Sequence, residues 1–104
     1  MKKRLKTRHE YHDGLIRDVE YRGDTEVSLA VDLRDKDNPF QVHLTFTDVR
    51  NFAELRSKLE EARAAGTIAI DEILSLSRHE GGGYWLHLAR SGSLRVDARG
   101  FLET

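Results

Sequence analysis

Between residues 40 and 52 the spacing of apolar positions changes from that of a strand to that of a helix. Phe40, Val42, Leu44 and Phe46 alternate with Gln41, His43, Thr45 and Thr47, which places them on opposite faces of an extended segment. Phe52, Leu55, Leu59 and Ala62 then recur at the spacing of one helical stripe. Asn51 with Glu54 three residues on resembles a capping box, in which the Asn side chain accepts from an early backbone N–H and the Glu reaches back. Gly66 is placed to close the helix as a C′ residue. Arg56, Lys58, Glu60, Glu61 and Arg63 fall mostly outward, and Glu54/Lys58 and Arg56/Glu60 form i,i+4 pairs. The apolar stripe must cover the sheet, because no other segment can.

The remaining pattern is strand-like. Residues 15–22 place Leu15, Val19 and Tyr21 on one face and Ile16, Asp18 and Glu20 on the other, and Arg17 interrupts the apolar row as an edge strand or sheet rim would. Gly23-Asp24 supplies a hairpin turn, which also accounts for the Arg22-Gly23-Asp24 triplet. In residues 25–34, Val27, Leu29, Val31 and Leu33 alternate with Glu26, Ser28, Ala30, Asp32 and Arg34, the signature of a sheet covered on one side. A loop at 35–39 ends at the only proline.

After the helix, Ile68, Ile70, Leu74 and Leu76 form the core row of a strand reaching about Arg78, with Ile73 on the opposite face. Gly81-Gly82-Gly83 is a connection and not a phosphate loop, since neither a helix start nor Lys-Ser/Thr follows it. Residues 84–90 and 93–99 form a hairpin turning at Ser91-Gly92. In it Leu86, Leu88, Leu94, Val96 and Ala98 face the core, while Trp85, His87, Ala89, Arg95, Asp97 and Arg99 face away. The expected fold is α+β: a single twisted antiparallel sheet of about six strands with one helix packed on one face, in the order βββαβββ.

Length and charge refine this picture. A chain of 104 residues carries one modest core. Without cysteine it has neither disulfides nor thiolate sites. No run approaches a membrane span and no secretory signal opens the chain, so a cytoplasmic protein is expected. Lys2, Lys3, Arg4, Lys6 and Arg8 crowd the first eight residues, leaving the rest with 12 basic against 18 acidic groups. The expected organisation is a basic, flexible tail over residues 1–10 and one domain over 11–104. Such a tail suits contact with nucleic acid.

Two constellations invite chemistry. His9-x-x-His12 beside Glu10 and Asp13 offers zinc-type ligands, but no second cluster completes a site, and neither a metal nor a cofactor is expected. On the outward sheet face, His43, His87, Trp85, Asp32, Asp97 and Arg95 would share one surface if their strands lay close. His with Asp is the pairing general acid–base catalysis requires, yet an open face excludes no water and no catalytic residue is assigned. An outward Trp among charges instead suits a protein contact, because Trp, Tyr and Arg dominate binding hot spots.

The His12-Asp13 leader, the alternating strand of residues 27–33, and the segment 42–49 followed by the Phe52 helix together resemble the small immunity-type domains found beside bacterial polymorphic toxins. The resemblance spans roughly residues 11–59. It implies a non-enzymatic protein that binds a cognate toxin and blocks its active site or an adjacent surface. The acidic body would complement a basic, nucleic-acid-handling cleft on such a toxin. Two alternatives stand beside it: a nucleic-acid binder using the basic tail, and a small hydrolase-type enzyme using His43 or His87.

Overall fold

In the computed structural model, which describes residues 7–35, 38–66 and 68–104, the chain runs β1 (Gly14–Arg22), β2 (Glu26–Asp35), β3 (Asn38–Thr47), α1 (Phe52–Ala65), β4 (Asp71–Arg78), β5 (Tyr84–Leu88), β6 (Gly92–Val96) and β7 (Gly100–Glu103). The strands form one antiparallel sheet in the order β6-β5-β4-β1-β2-β3-β7. The expected α+β sheet with one helix is present, but it has seven strands instead of six. The Ala98 N–H turns back to the Val96 carbonyl (2.9 Å), which ends β6. After three intervening residues, 97–99, the chain pairs with β3 at the opposite edge of the sheet.

That crossing is possible only because the sheet coils on itself. Between β3 and β5 lie β2, β1 and β4, so a flat sheet would hold β3 and β5 roughly 19 Å apart at the usual strand spacing. Instead the inward ring of Tyr84 on β5 lies 5.8 Å from Phe46 on β3 and 5.3 Å, edge to face, from Phe101 on β7. The inward rows expected for β2 and β3 meet there: Val27, Leu29, Val31, Val42, Leu44 and Phe46 are all buried. Leu55, Leu59 and Ala62 of α1 are buried in the same core. Fully burying a leucine such as Leu59 stabilises the fold by about 1.5–3 kcal/mol. Phe40 belongs to the same row but is not core. It lies at the tip of the β2–β3 hairpin, 36% exposed, against the ring of His9.

Two β-bulges correct the expected facing of β1 and β4. The β1–β2 register shifts between Ile16 and Asp18, so Arg17 is the extra residue. Ile16 therefore turns inward and is fully buried beside Val19, while Leu15 joins the outward row. With β4 on one side and β2 on the other, β1 is an interior strand rather than an edge. A second shift between Ile73 and Ser75 makes Leu74 the extra residue of β4. Ile73 is thereby fully buried, Leu74 is left exposed, and Ile68 stands outside the strand in solvent. A bulge reverses the parity of every residue beyond it, which is why single-residue slips exchange faces.

Pro39 lies inside β3, opposite Arg34, and does not precede the strand. Because β7 reaches only as far as Leu44, this half of β3 is an edge, where a residue lacking an N–H is tolerated.

The helix is fixed at both ends by groups from elsewhere in the chain. Asn51 makes no side-chain cap bond. Its amide instead clamps the end of β6: Nδ2 donates to the Arg95 carbonyl (2.7 Å) and Oδ1 accepts the Asp97 N–H (2.9 Å). The Arg50 N–H adds a third bond, to the Asp97 carbonyl. An amide presents donor and acceptor side by side, as an extended backbone does, and this match replaces the expected capping box.

At the other end Gly66 is extended (φ −75°) and not left-handed. Glycine is required there for space, since a Cβ would come within 2.4 Å of the Ala69 carbonyl oxygen. Along the helix, Arg63 donates to the Val19 carbonyl of β1 and pairs with Glu60, and Arg56 lies over the Tyr21 ring. Among the described residues no helix is long and apolar enough to cross a membrane.

Asn51 offers a test of the clamp. A cap would tolerate Asp in its place, whereas the clamp also needs the amide donor. Both Asn51→Ala and Asn51→Asp should therefore lower stability by about 1–3 kcal/mol in urea unfolding; an Asp variant as stable as the parent would mean that Asn51 acts as a cap.

Candidate functional site

The coiled sheet divides the six candidate residues between two sides of the molecule. Tyr84 of β5 and Phe46 of β3 face each other inward, so the outward residues of those strands project in opposing directions. Trp85, His87 and Arg95 come together on the outer face of β4, β5 and β6. His43 and Asp32 lie across the molecule on β3 and β2, and the single surface expected for all six is not formed.

On the first face, strand pairing sets the neighbours. Trp85 is flanked by Ser77 of β4 and Arg95 of β6, and His87 by Ser75 and Ser93. Both His87 ring nitrogens meet hydroxyls: Nδ1 is 2.6 Å from Ser93 Oγ and Nε2 is 3.4 Å from Ser77 Oγ. The Trp85 and His87 rings are nearly parallel (19°, 6.2 Å), and the His79 ring lies 5.2 Å from Trp85, tilted by 47°. The result is a row of three rings, His79, Trp85 and His87, bordered by small hydroxyl residues and Arg95. Asp97 comes two residues beyond Arg95, its backbone held by Asn51 and Arg50.

Gly83 sets the start of β5. Its φ is +79°, and a Cβ there would come within 2.5 Å of the Val96 carbonyl oxygen, so the turn from His79 brings Trp85 into register only with glycine at this position.

His79, Ser77 and Ser93 were not among the residues expected at a site. The turn expected at Ser91-Gly92 would pair Leu88 with Arg95. The actual turn, Ala89-Arg90-Ser91 followed by Gly92 at φ +77°, pairs Leu88 with Gly92 and Trp85 with Arg95.

This turn is held by Asp71, a residue with no hydrophobic signature. Its buried carboxylate accepts from the Glu72 and Arg90 N–H groups at Oδ1 and from the Ser91 N–H and hydroxyl at Oδ2, at 2.6–3.0 Å. Burial pushes the Asp71 carboxyl up, but the Ser91 hydroxyl and the Arg90, Glu72 and Ser91 N–H groups together hold it below the usual carboxylate range. Arg90 reaches on to the Ala65 and Ile70 carbonyls, tying the hairpin to the end of α1.

On the second face, Asp32 has both oxygens engaged. Gln41 Nε2 donates to Oδ1 (3.0 Å) and Arg17 Nε to Oδ2 (2.6 Å); these bonds and the Arg17 charge lower its pKa. Among the described residues no hydrogen bond joins His43 to Asp32, so the acid–base pair expected as an alternative is not assembled. A cleft of about 550 Å³ adjoins Asp32 and Arg17 and also borders His12 and Glu72.

His12 donates from Nδ1 to the Leu74 carbonyl at the bulge (2.8 Å), and that bond, with Asp13 nearby, raises its pKa. His9 packs on Phe40 instead of joining His12. Among the described residues no three His, Asp or Glu side chains converge as metal ligands. No protein-family model, curated protein or solved structure matches this chain.

Asp71 generates a pH test. Because its folded pKa is lowered, its contribution is fully present above the unfolded Asp value of about 3.9 and is lost as pH falls through the lower folded value. Asp71→Asn should cost about 2–3 kcal/mol at neutral pH and flatten the acid limb of stability against pH. Urea midpoints from pH 2 to 7 measure both, and a variant that keeps the parent's acid limb would assign the limb to other carboxylates.

Proposed function

We propose that this protein is a non-catalytic protein-binding module, and that its role is that of an immunity-type protein which binds and neutralises a cognate toxin in the cytoplasm. The observation that carries this reading is the ring row His79–Trp85–His87 on the outer face of β5, backed by rigid paired strands. A half-buried Trp flanked by Arg95 and hydroxyl residues presents apolar area, donors and acceptors on a surface that loses little conformational freedom when covered. These are the attributes of an interface anchor.

A non-catalytic role is favoured by how the polar groups are spent. Ser93 lies at nucleophile–base distance from His87, but the other ring nitrogen meets Ser77 and not an orienting carboxylate. Asp32 is held by Arg17 and Gln41. The contact surface proposed is therefore Trp85, His87 and Arg95 with His79, bordered by Asp97; His43 and Asp32 lie outside it.

The parent chain and its Trp85→Ala and His43→Ala variants, each checked for a parental thermal melt, can be immobilised and exposed to lysate of the native host. A protein retained at one copy per chain by the parent and by His43→Ala, and bound about 30-fold more weakly by Trp85→Ala, is the expected result. Equal retention by Trp85→Ala would remove this face from the interaction.

A further inference from the structure

The glycine triplet that leads into β5 is held by one residue of the contact row. In the turn 79–83 the His79 N–H donates to the Gly83 carbonyl (3.0 Å) and the Gly82 N–H to the His79 carbonyl (3.1 Å). The Gly81 N–H donates to His79 Nδ1 (2.9 Å), so the imidazole itself closes the turn. Gly82 and Gly83 take φ values of +100° and +79°. Three successive glycines have little conformational preference of their own, and their arrangement depends on these bonds. The same imidazole lies 5.2 Å from the ring of Trp85, the only tryptophan in the chain.

A ring nitrogen that accepts a hydrogen bond carries no proton, so His79 is neutral in this arrangement, with its proton on Nε2. An imidazolium has two donors and no acceptor, and protonation therefore deprives the Gly81 N–H of its partner however the ring turns. His87 behaves differently. Its neighbours Ser93 and Ser77 are hydroxyls, which accept as readily as they donate, so both contacts survive when that ring gains a proton. We propose that His79 is an acid-sensitive latch on the Trp85 face: the neutral ring holds the turn that positions Trp85, and the imidazolium releases it and weakens the protein contact. The proposal rests on the reading of that face as the contact surface. Histidine changes charge between about pH 5 and 8. Because the neutral form makes the bond, the latch is closed at the upper end of that interval and opens as pH falls. The charged and titratable groups around the ring are Arg78 and Glu80 on its own turn, Tyr84 and His87 on β5, Arg95 beside Trp85 on β6, and Asp97 next to Gly83. These groups act on how readily the proton is taken up, and none alters the sign, since the Gly81 bond is lost on protonation in every case.

The test is an NMR titration of the free full chain from about pH 8 to 5, with His79→Asn and His87→Gln beside the parent. The His79 Cε1–H reports protonation, the Gly81 amide reports the latch, and the single indole N–H reports Trp85. In the parent the Gly81 amide should follow the His79 curve. Its exchange, relative to the intrinsic rate, should be about 2- to 13-fold faster at the acid end, the effect of losing one ordinary hydrogen bond. In His79→Asn, whose Oδ1 is an acceptor that does not titrate, the Gly81 curve should be flat. In His87→Gln both the Gly81 and the indole curves should remain. A Gly81 amide that stays fixed while His79 titrates, a His79 ring that takes up no proton in this interval, or a Gly81 curve that persists in His79→Asn would each overturn the proposal. For a partner retained through Trp85, the loss of affinity from the upper to the acid end should be about 2- to 13-fold larger for the parent than for His79→Asn, and equal losses would overturn the regulatory role. The two readings fail separately: retention by Trp85→Ala decides the contact surface, and the free-chain titration decides the latch.

Discussion

The contact of Tyr84 with Phe46 and Phe101 is the constraint on which the rest of the structure depends. Three aromatic rings from β5, β3 and β7 close a seven-stranded antiparallel sheet on itself, so the strands at its two edges can be joined by only three residues. A sheet coiled this far has one enclosed face and one outer face that points in every direction. The enclosed face takes the apolar stripe of α1, and Asn51 fixes the helix start by treating the end of β6 as a strand to pair with. Asp71 and Arg90 fix the other end of the helix through the β5–β6 turn. Among the described residues every buried side-chain polar atom has a hydrogen-bond partner, as a core held by such ties requires.

The same coiling governs where function can reside. Outward residues of β5 and β3 cannot act together, and the outer surface resolves into separate places with different chemistry. On β4–β6 a ring row lies among serines and Arg95, suited to a protein contact. At the hairpin tip, the rings of His9 and Phe40 meet 5.5 Å apart. Between them the β1 bulge holds Arg17 against Asp32, a pair that is satisfied within the fold.

Much of this was legible in the sequence. Residues 27–33 and 42–46 alternate cleanly because their strands pair without irregularity, and the stripe Leu55, Leu59, Ala62 is buried as its spacing predicts. The reading failed where one residue changed the register. Arg17 and Leu74 occupy bulges, and nothing in the local apolar pattern distinguishes an extra residue from a broken row. Phe101 belongs to a four-residue strand that follows β6 too closely to separate by periodicity, and its partner strand is determined by long-range closure. The candidate site was half legible for the same reason: Trp85, His87 and Arg95 share a hairpin, whereas their relation to His43 depends on how far the sheet curls. Asn51 shows the limit of motif reasoning, since a capping-box residue was recruited by a better acceptor–donor match 44 residues away.

The most direct measurement of that closure is a two-dimensional NOE spectrum of the full chain with assigned aromatic resonances. Cross-peaks from the Tyr84 ring protons to both the Phe46 and the Phe101 rings are predicted. A spectrum in which Phe46 and Phe101 show contacts to each other but none to Tyr84 would describe an open sheet and contradict the separation of the two outer faces.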